Sequence, residues 1–218
     1  LFGREFQLGQ GDKDTIYVVT AAHLFPVSYN YVSMDVKNNP FNIEYSYDLQ
    51  VSGHKVEHGA RLVATNIESD VALLEMSPEA VKQLVEIYGF ANADEIAGLE
   101  MADRLETDAT HIVLGYPAAR EGELVQRVGY LPRGEYPTDD TSNFGPLSKF
   151  KLEAMGPSDV NLAEPGMSGG PIVDGWGRVV GVATERPNDT NSLIAVDLTS
   201  LEDTADVFAA QSADCRLT

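Results

Sequence analysis

The sequence predicts an all-β fold carrying a helical insertion, and three patterns predict it. Short apolar or alternating runs recur along the 218 residues, as half-buried strands require. Clusters of Gly, Pro, Asn and Asp punctuate those runs, which is turn chemistry. A period near 3.6 replaces the strand pattern mainly over residues 77–90.

Residues 15–19 (TIYVV) form the first β-rich run and lead into Thr20, Ala21, Ala22 and His23. Residues 31–36 alternate moderately, and 41–51 (FNIEYSYDLQV) alternate more clearly. Residues 61–64 and 71–76 are further strands, and the polar stretch 65–70 between them reads as a loop. At 77–90 Ser77 is placed to cap a helix, Pro78 suits its first turn and Gly89 its stop. Val81, Leu84, Val85 and Tyr88 fall on one helical stripe. A weaker helix is expected over about 93–103. We read the pair as a surface insertion that packs on the β structure. Strands resume at 111–116 and 124–131, followed by a Gly-, Pro- and Asp-rich loop at 132–148. Residues 150–155, 171–173, 178–184 and 193–196 complete the strands, with Asp174-Gly175 turning the chain between the second and third of these. Thr199 or Ser200, with Asp203, signals the start of a C-terminal helix over about 200–210.

Composition narrows the function. Hydrophobic residues make up 43% of the chain, enough for a sizeable core, and no apolar run reaches membrane-spanning length. Asp and Glu total 34 against 15 Lys and Arg, a formal charge of −19. Nucleic acid and anionic membranes are repelled by such a surface and are excluded as partners. The N-terminal LFGREF is neither an initiator methionine nor a signal peptide and reads as a trimmed start. Cys215 is the only cysteine, so no internal disulfide is possible.

The chemistry concentrates at Gly166-Met167-Ser168-Gly169-Gly170-Pro171. A serine hydroxyl needs a neighbouring base and a third group to orient that base. Glycines beside it let backbone N–H groups approach a developing oxyanion. All four histidines, His23, His54, His58 and His111, precede Ser168. That order rules out the α/β-hydrolase arrangement, in which the histidine follows the serine. An order of His, Asp, Ser remains open. His54 and His58 also spell H-x-x-E-H, a zinc motif when it lies on a helix. Here it follows an alternating run and is flanked by Gly53 and Gly59. On an extended strand residues four apart lie about 13 Å from one another, too far for one zinc ion at about 2 Å from each nitrogen. No metal is expected. Asn188-Asp189-Thr190 is a glycosylation sequon and reads as a polar turn.

Taken together, Thr20-Ala21-Ala22-His23, the Asp70-Val71-Ala72-Leu73-Leu74 block and the Gly166–Pro171 block resemble the trypsin-like (chymotrypsin-fold) serine peptidases. The blocks occur in the family's order, with 47 residues from His23 to Asp70 and 98 from Asp70 to Ser168. Leu114-Gly115-Tyr116-Pro117 looks like a strand end of bacterial relatives of the high-temperature-requirement type. The resemblance implies two packed Greek-key β-barrels, halves of about 1–105 and 106–198, within one peptidase domain over 1–218. It implies a serine endopeptidase without cofactor, acting on polypeptides through an acyl-enzyme. His23, Asp70 and Ser168 would be catalytic, and the N–H groups of Gly166 and Ser168 would form the oxyanion hole. Leu162 would line the base of the primary pocket and Thr184 its wall. Arg186, two residues on, would either point into the pocket and favour an acidic side chain or stay solvated at the strand end. With Leu162 at the base, cleavage after small or medium apolar residues is expected. A secreted or periplasmic location follows from the resemblance alone. Met167 replaces the aspartate that pairs with a new N-terminus in digestive members, so activation through that ion pair is not expected. The alternative is an inactive or partner-gated homologue that serves as a protein-binding module. Oligomeric state and physiological substrate are not legible.

Overall fold

The computed structural model of the chain describes residues 2–3, 16–25, 34–35, 46–51, 54–66, 69–96, 98–120, 123–133, 148–155, 161–185 and 191–199. The first six strands are β1 (Phe2–Gly3), β2 (Tyr17–Ala21), β3 (Met34–Asp35), β4 (Ser46–Val51), β5 (His54–Asn66) and β6 (Val71–Met76). They form one antiparallel sheet in the order β1-β2-β6-β5-β3, with β4 also paired to β5. The second six are β7 (Ala109–Gly115), β8 (Val125–Leu131), β9 (Lys149–Ala154), β10 (Pro171–Val173), β11 (Val179–Glu185) and β12 (Ser192–Asp197). These close into a barrel in the order β10-β11-β12-β9-β8-β7. The all-β expectation holds. Of the two barrels implied, only this second one closes among the described residues.

β5 is longer than the expected strand 61–64, and it absorbs both the H-x-x-E-H stretch and part of the expected loop 65–70. The additional length is supported by pairing to β4 over the first half, from His54 to Arg61, and to β6 over the second, from Ala60 to Asn66. Opposite Asp48 the β4–β5 register shifts, and His58 adopts a left-handed φ of 52° there. This is a bulge, which lets a strand bend without leaving its sheet.

The helix α1 spans Pro78–Tyr88 and is built as its sequence predicts. Ser77 Oγ accepts the N–H of Ala80 at 3.2 Å, and Gly89 closes the other end at a φ of 69°. Only a residue without Cβ takes that conformation at no steric cost. Ala80 and Leu84 pack with Val56 and Met76 of the first sheet and with Ile16 and Ile96 beside it, flanked by Val81 and Val85. Tyr88, the last member of the expected stripe, is exposed.

The second expected helix, over about 93–103, is not formed. Ala93–Glu95 makes one 3-10 turn. Beyond it the chain extends along the start of β11. Val179 donates its N–H to Glu100 at 2.7 Å, and Ala102 donates to Val179 at 2.8 Å. Those two bonds satisfy the backbone without a helix and tuck Ala102 into the barrel core. The expected C-terminal helix and most of loop 132–148 lie outside the described residues.

The two strand sets share one apolar cluster. Tyr17, Val19, Val71 and Leu73 from the first sheet meet Val173, Val179, Val182, Val196 and Leu198 from the second. The candidate site residues lie at the edge of this contact.

Candidate active site

Antiparallel pairing of β2 with β6 sets Ala21 opposite Val71. The residues just past the end of β2 therefore face those just before β6. The chain turns there through Ala22–Leu24, while Asp70 holds a left-handed φ of 56°, a region that aspartate tolerates better than most residues. Three bonds follow. Ala22 N–H donates to the Asp70 carbonyl at 3.2 Å. The His23 N–H donates to Asp70 Oδ1 at 2.8 Å, and His23 Nδ1 lies 2.8 Å from Asp70 Oδ2. A carboxylate accepts only, so this bond places the imidazole proton on Nδ1 and leaves the lone pair of Nε2 outward. Asp70 is buried, while His23 is exposed.

Ser168 lies in a turn pinned from several sides. Met167 N–H donates to the Glu164 carbonyl at 3.1 Å, and Gly170 N–H to Met167 at 3.0 Å. Gly169 and Ala183 tie the turn to β11, Gly169 N–H donating to Ala183 at 2.8 Å and Ala183 N–H to Gly170 at 2.9 Å. A Cβ on Gly169 would stand 2.0 Å from Thr20 Oγ1 and 3.2 Å from the Ala21 nitrogen. The serine turn is thus seated against the strand end that carries His23, at a distance only glycine permits. Ser168 Oγ donates to the Thr184 carbonyl at a long 3.5 Å.

The Pro165 carbonyl accepts the N–H of Ala118 at 2.8 Å. In a trans peptide the N–H opposes its carbonyl. The Gly166 N–H therefore points away from Ala118, and among the described residues neither it nor the Ser168 N–H has a backbone partner. Met167 is buried against Gly115, where an added Cβ would come within 2.9 Å of its side chain.

Beside Ser168 is a small cavity of about 100 Å³, lined by Ala163, Glu164, Pro165, Met167, Ala183, Thr184 and Leu193. Leu162, expected at the pocket base, instead packs inside the barrel at 1% exposure. Ala163, its neighbour, belongs to the same barrel cluster and also lines the cavity. Thr184 lines it, with its hydroxyl donating to the Ile194 carbonyl at 3.2 Å. Arg186 lies outside the described residues. Ala163 and Leu193 were not anticipated, since only the closed barrel brings β12 beside the serine turn.

His58 stands on β5, and the H-x-x-E-H stretch is strand throughout. Among the described residues no three His, Cys, Asp or Glu side chains are grouped as metal ligands. His111 is buried on β7, donating from Nε2 to the Glu106 carbonyl at 3.0 Å. Burial lowers its pKa, against the opposing pull of the Glu106 carbonyl and the Asp174 and Glu106 charges.

The fold is similar to that of the Rv3671c protease of M. tuberculosis. The active form aligns with a TM-score of 0.56 and 19% identity, over 89% of this chain and 69% of that one. The inactive form aligns at 0.54 and 18%, over 89% and 79% respectively. The HtrA-type protease AlgW, solved with a decapeptide, gives 0.56 and 16%, over 89% of this chain and 48% of its own. No curated protein matches the sequence. At these identities the solved structures speak for the fold, and the sequence itself speaks for the family. Residues 6–182 match the trypsin-like peptidase domain, a stretch that holds His23, Asp70 and Ser168 alike, and the chain belongs to that family.

Proposed function

We propose that the protein is a serine endopeptidase working through His23, Asp70 and Ser168. The observation that carries this reading is the 2.8 Å contact of His23 Nδ1 with Asp70 Oδ2, on a strand end that abuts the serine turn. Ser168 Oγ attacks the scissile carbonyl while His23 Nε2 takes its proton. The Gly166 and Ser168 N–H groups stabilise the oxyanion. Collapse of the tetrahedral adduct breaks the C–N bond, and His23 returns the proton to the departing amine. Water then attacks the acyl-enzyme by the same route and releases the acid. Asp70 holds the tautomer and stabilises the imidazolium formed at each step. A fluorophosphonate probe should label the wild type at Ser168. Ser168→Ala should abolish labelling and lower turnover by about 10⁶-fold. An unlabelled wild type would favour the inactive, binding-module alternative, and full turnover by the alanine variant would remove Ser168 from the reaction.

The cavity beside Ser168 sets the preferred substrate. Its small, largely apolar walls suit a small or medium apolar side chain before the cleaved bond, with discrimination of about 1–3 kcal/mol per methylene. Peptide-library profiling checks this: dominant cleavage after Glu or Asp, lost in Arg186→Ala, would replace it with an acidic preference.

A further inference from the structure

Resting on the serine-peptidase reading, we propose that Glu164 is the positioning residue of the oxyanion turn, held by Arg127 and Arg120. Glu164 opens the turn, two residues before Gly166 and four before Ser168. Its own backbone is bonded across that turn: its carbonyl accepts Met167 N–H at 3.1 Å, and its N–H donates to Met167 Sδ at 3.4 Å. Its carboxylate leaves the turn and meets two cations. Glu164 Oε1 accepts from Arg127 Nη2 at 2.6 Å and lies 3.5 Å from Arg120 Nη2.

The two arginines belong to the pieces that must stay in register with the turn. Arg127 is on β8, paired with Val113 of β7, so it is fixed to the barrel wall. Arg120 lies in the β7–β8 connection, two residues past Ala118, whose N–H holds the Pro165 carbonyl. One carboxylate thus ties the turn to the wall and to the segment that sets the Pro165–Gly166 peptide plane. Rotation of that plane would aim the Gly166 N–H away from the substrate.

The pair also differs from an ordinary surface contact. The Arg127 and Glu164 side chains are 20% and 19% exposed, against 76% and 63% for Lys82 and Glu86 on α1. Exposed pairs of the latter kind hold little geometry. A half-buried charge-assisted bond is short and directional, and removing one partner leaves an uncompensated charge. Met167, the other side chain anchoring the turn, is apolar and supplies fit without charge.

The experiment compares wild type, Glu164→Gln and Arg127→Lys in the full chain, by deuterium uptake of peptides covering residues 163–170 and by steady-state kinetics. Glu164→Gln should raise uptake in that stretch alone. It should lower kcat by about 10–100-fold while KM stays within about threefold, as misplacement of transition-state donors does. The shape of the pH profile of kcat/KM should be kept, because His23 and Asp70 are untouched. Arg127→Lys keeps the charge but not the fork and should fall between the two. Unchanged uptake overturns the proposal, as does raised uptake with unchanged kcat. A loss of kcat accompanied by raised uptake across the whole barrel would mark Glu164 as merely stabilising and overturn it too. If fluorophosphonate fails to label the wild type, the peptidase reading falls, while the uptake comparison still decides whether Glu164 holds the turn.

Discussion

At the scale of single residues, burial gives His111 and Asp70 opposite uses. Asp70 is buried with every acceptor aimed at the Ala22–His23 turn. His111 is 1% exposed and spends one nitrogen on the Glu106 carbonyl, while its Nδ1 has no partner among the described residues. Neutral imidazole tolerates this, because a lone pair costs less to bury than an N–H cation. Its folded pKa is accordingly below the ordinary imidazole value of 6.5. The unfolded chain therefore binds the proton first, so the His111 contribution is complete above about pH 6.5 and is lost as pH falls towards the folded pKa. Asp174 works in a lower window. Burial pushes its carboxyl up, but the Arg178 and Trp176 N–H groups and the Arg178 guanidinium together hold it below 3.8. Its contribution persists until pH drops beneath the carboxylate range. His111→Leu removes the first effect and leaves the second. Urea denaturation should show this variant losing more stability relative to wild type at pH 7 than at pH 5, and an equal loss at both would sink the assignment.

At the scale of elements, legibility followed locality. The helix α1 was readable to the residue because its start, stop and stripe are written in adjacent positions: Ser77, Pro78, Gly89 and the Val81, Leu84, Val85 spacing. β6 (Val71–Met76) was equally plain, as a run buried on both faces. The 93–103 segment misled because its composition suits a helix, whereas its backbone partner is Val179, far along the chain. The reach of β5 was hidden by Gly53, Gly59 and the His58 bulge, each of which reads locally as a turn. At the site, His23, Asp70 and Ser168 were legible because each sits in a distinctive local block. Glu164 with Arg127 was not, since they lie 37 residues apart and neither position is patterned. Ala163 at the cavity was not legible for a related reason: its place beside Ser168 is set by the closed barrel, in whose core it packs together with Leu162.

At the scale of the whole molecule, the site depends on the contact between the two strand sets. His23 and Asp70 come from the first set, Ser168 from the second, and the Gly169 backbone approaches Thr20 too closely to admit a side chain. What holds the sets together is the shared apolar cluster, with Leu73 fully buried between Val19 and Val71 on one side and the β10–β12 valines on the other. A chain carrying 34 acidic against 15 basic side chains repels itself and adds nothing to that contact. The cluster should therefore make both sets one cooperative unit. Leu73→Ala leaves a cavity at the junction and should cost about 2–5 kcal/mol. Far-ultraviolet and near-ultraviolet circular dichroism should move together to a lower urea midpoint, still as one transition. Activity should disappear along the same curve, because no intermediate keeps His23 and Ser168 in register. Two separated transitions, with the substitution shifting only one, would show instead that the sets fold independently and that the serine turn, not the cluster, joins them.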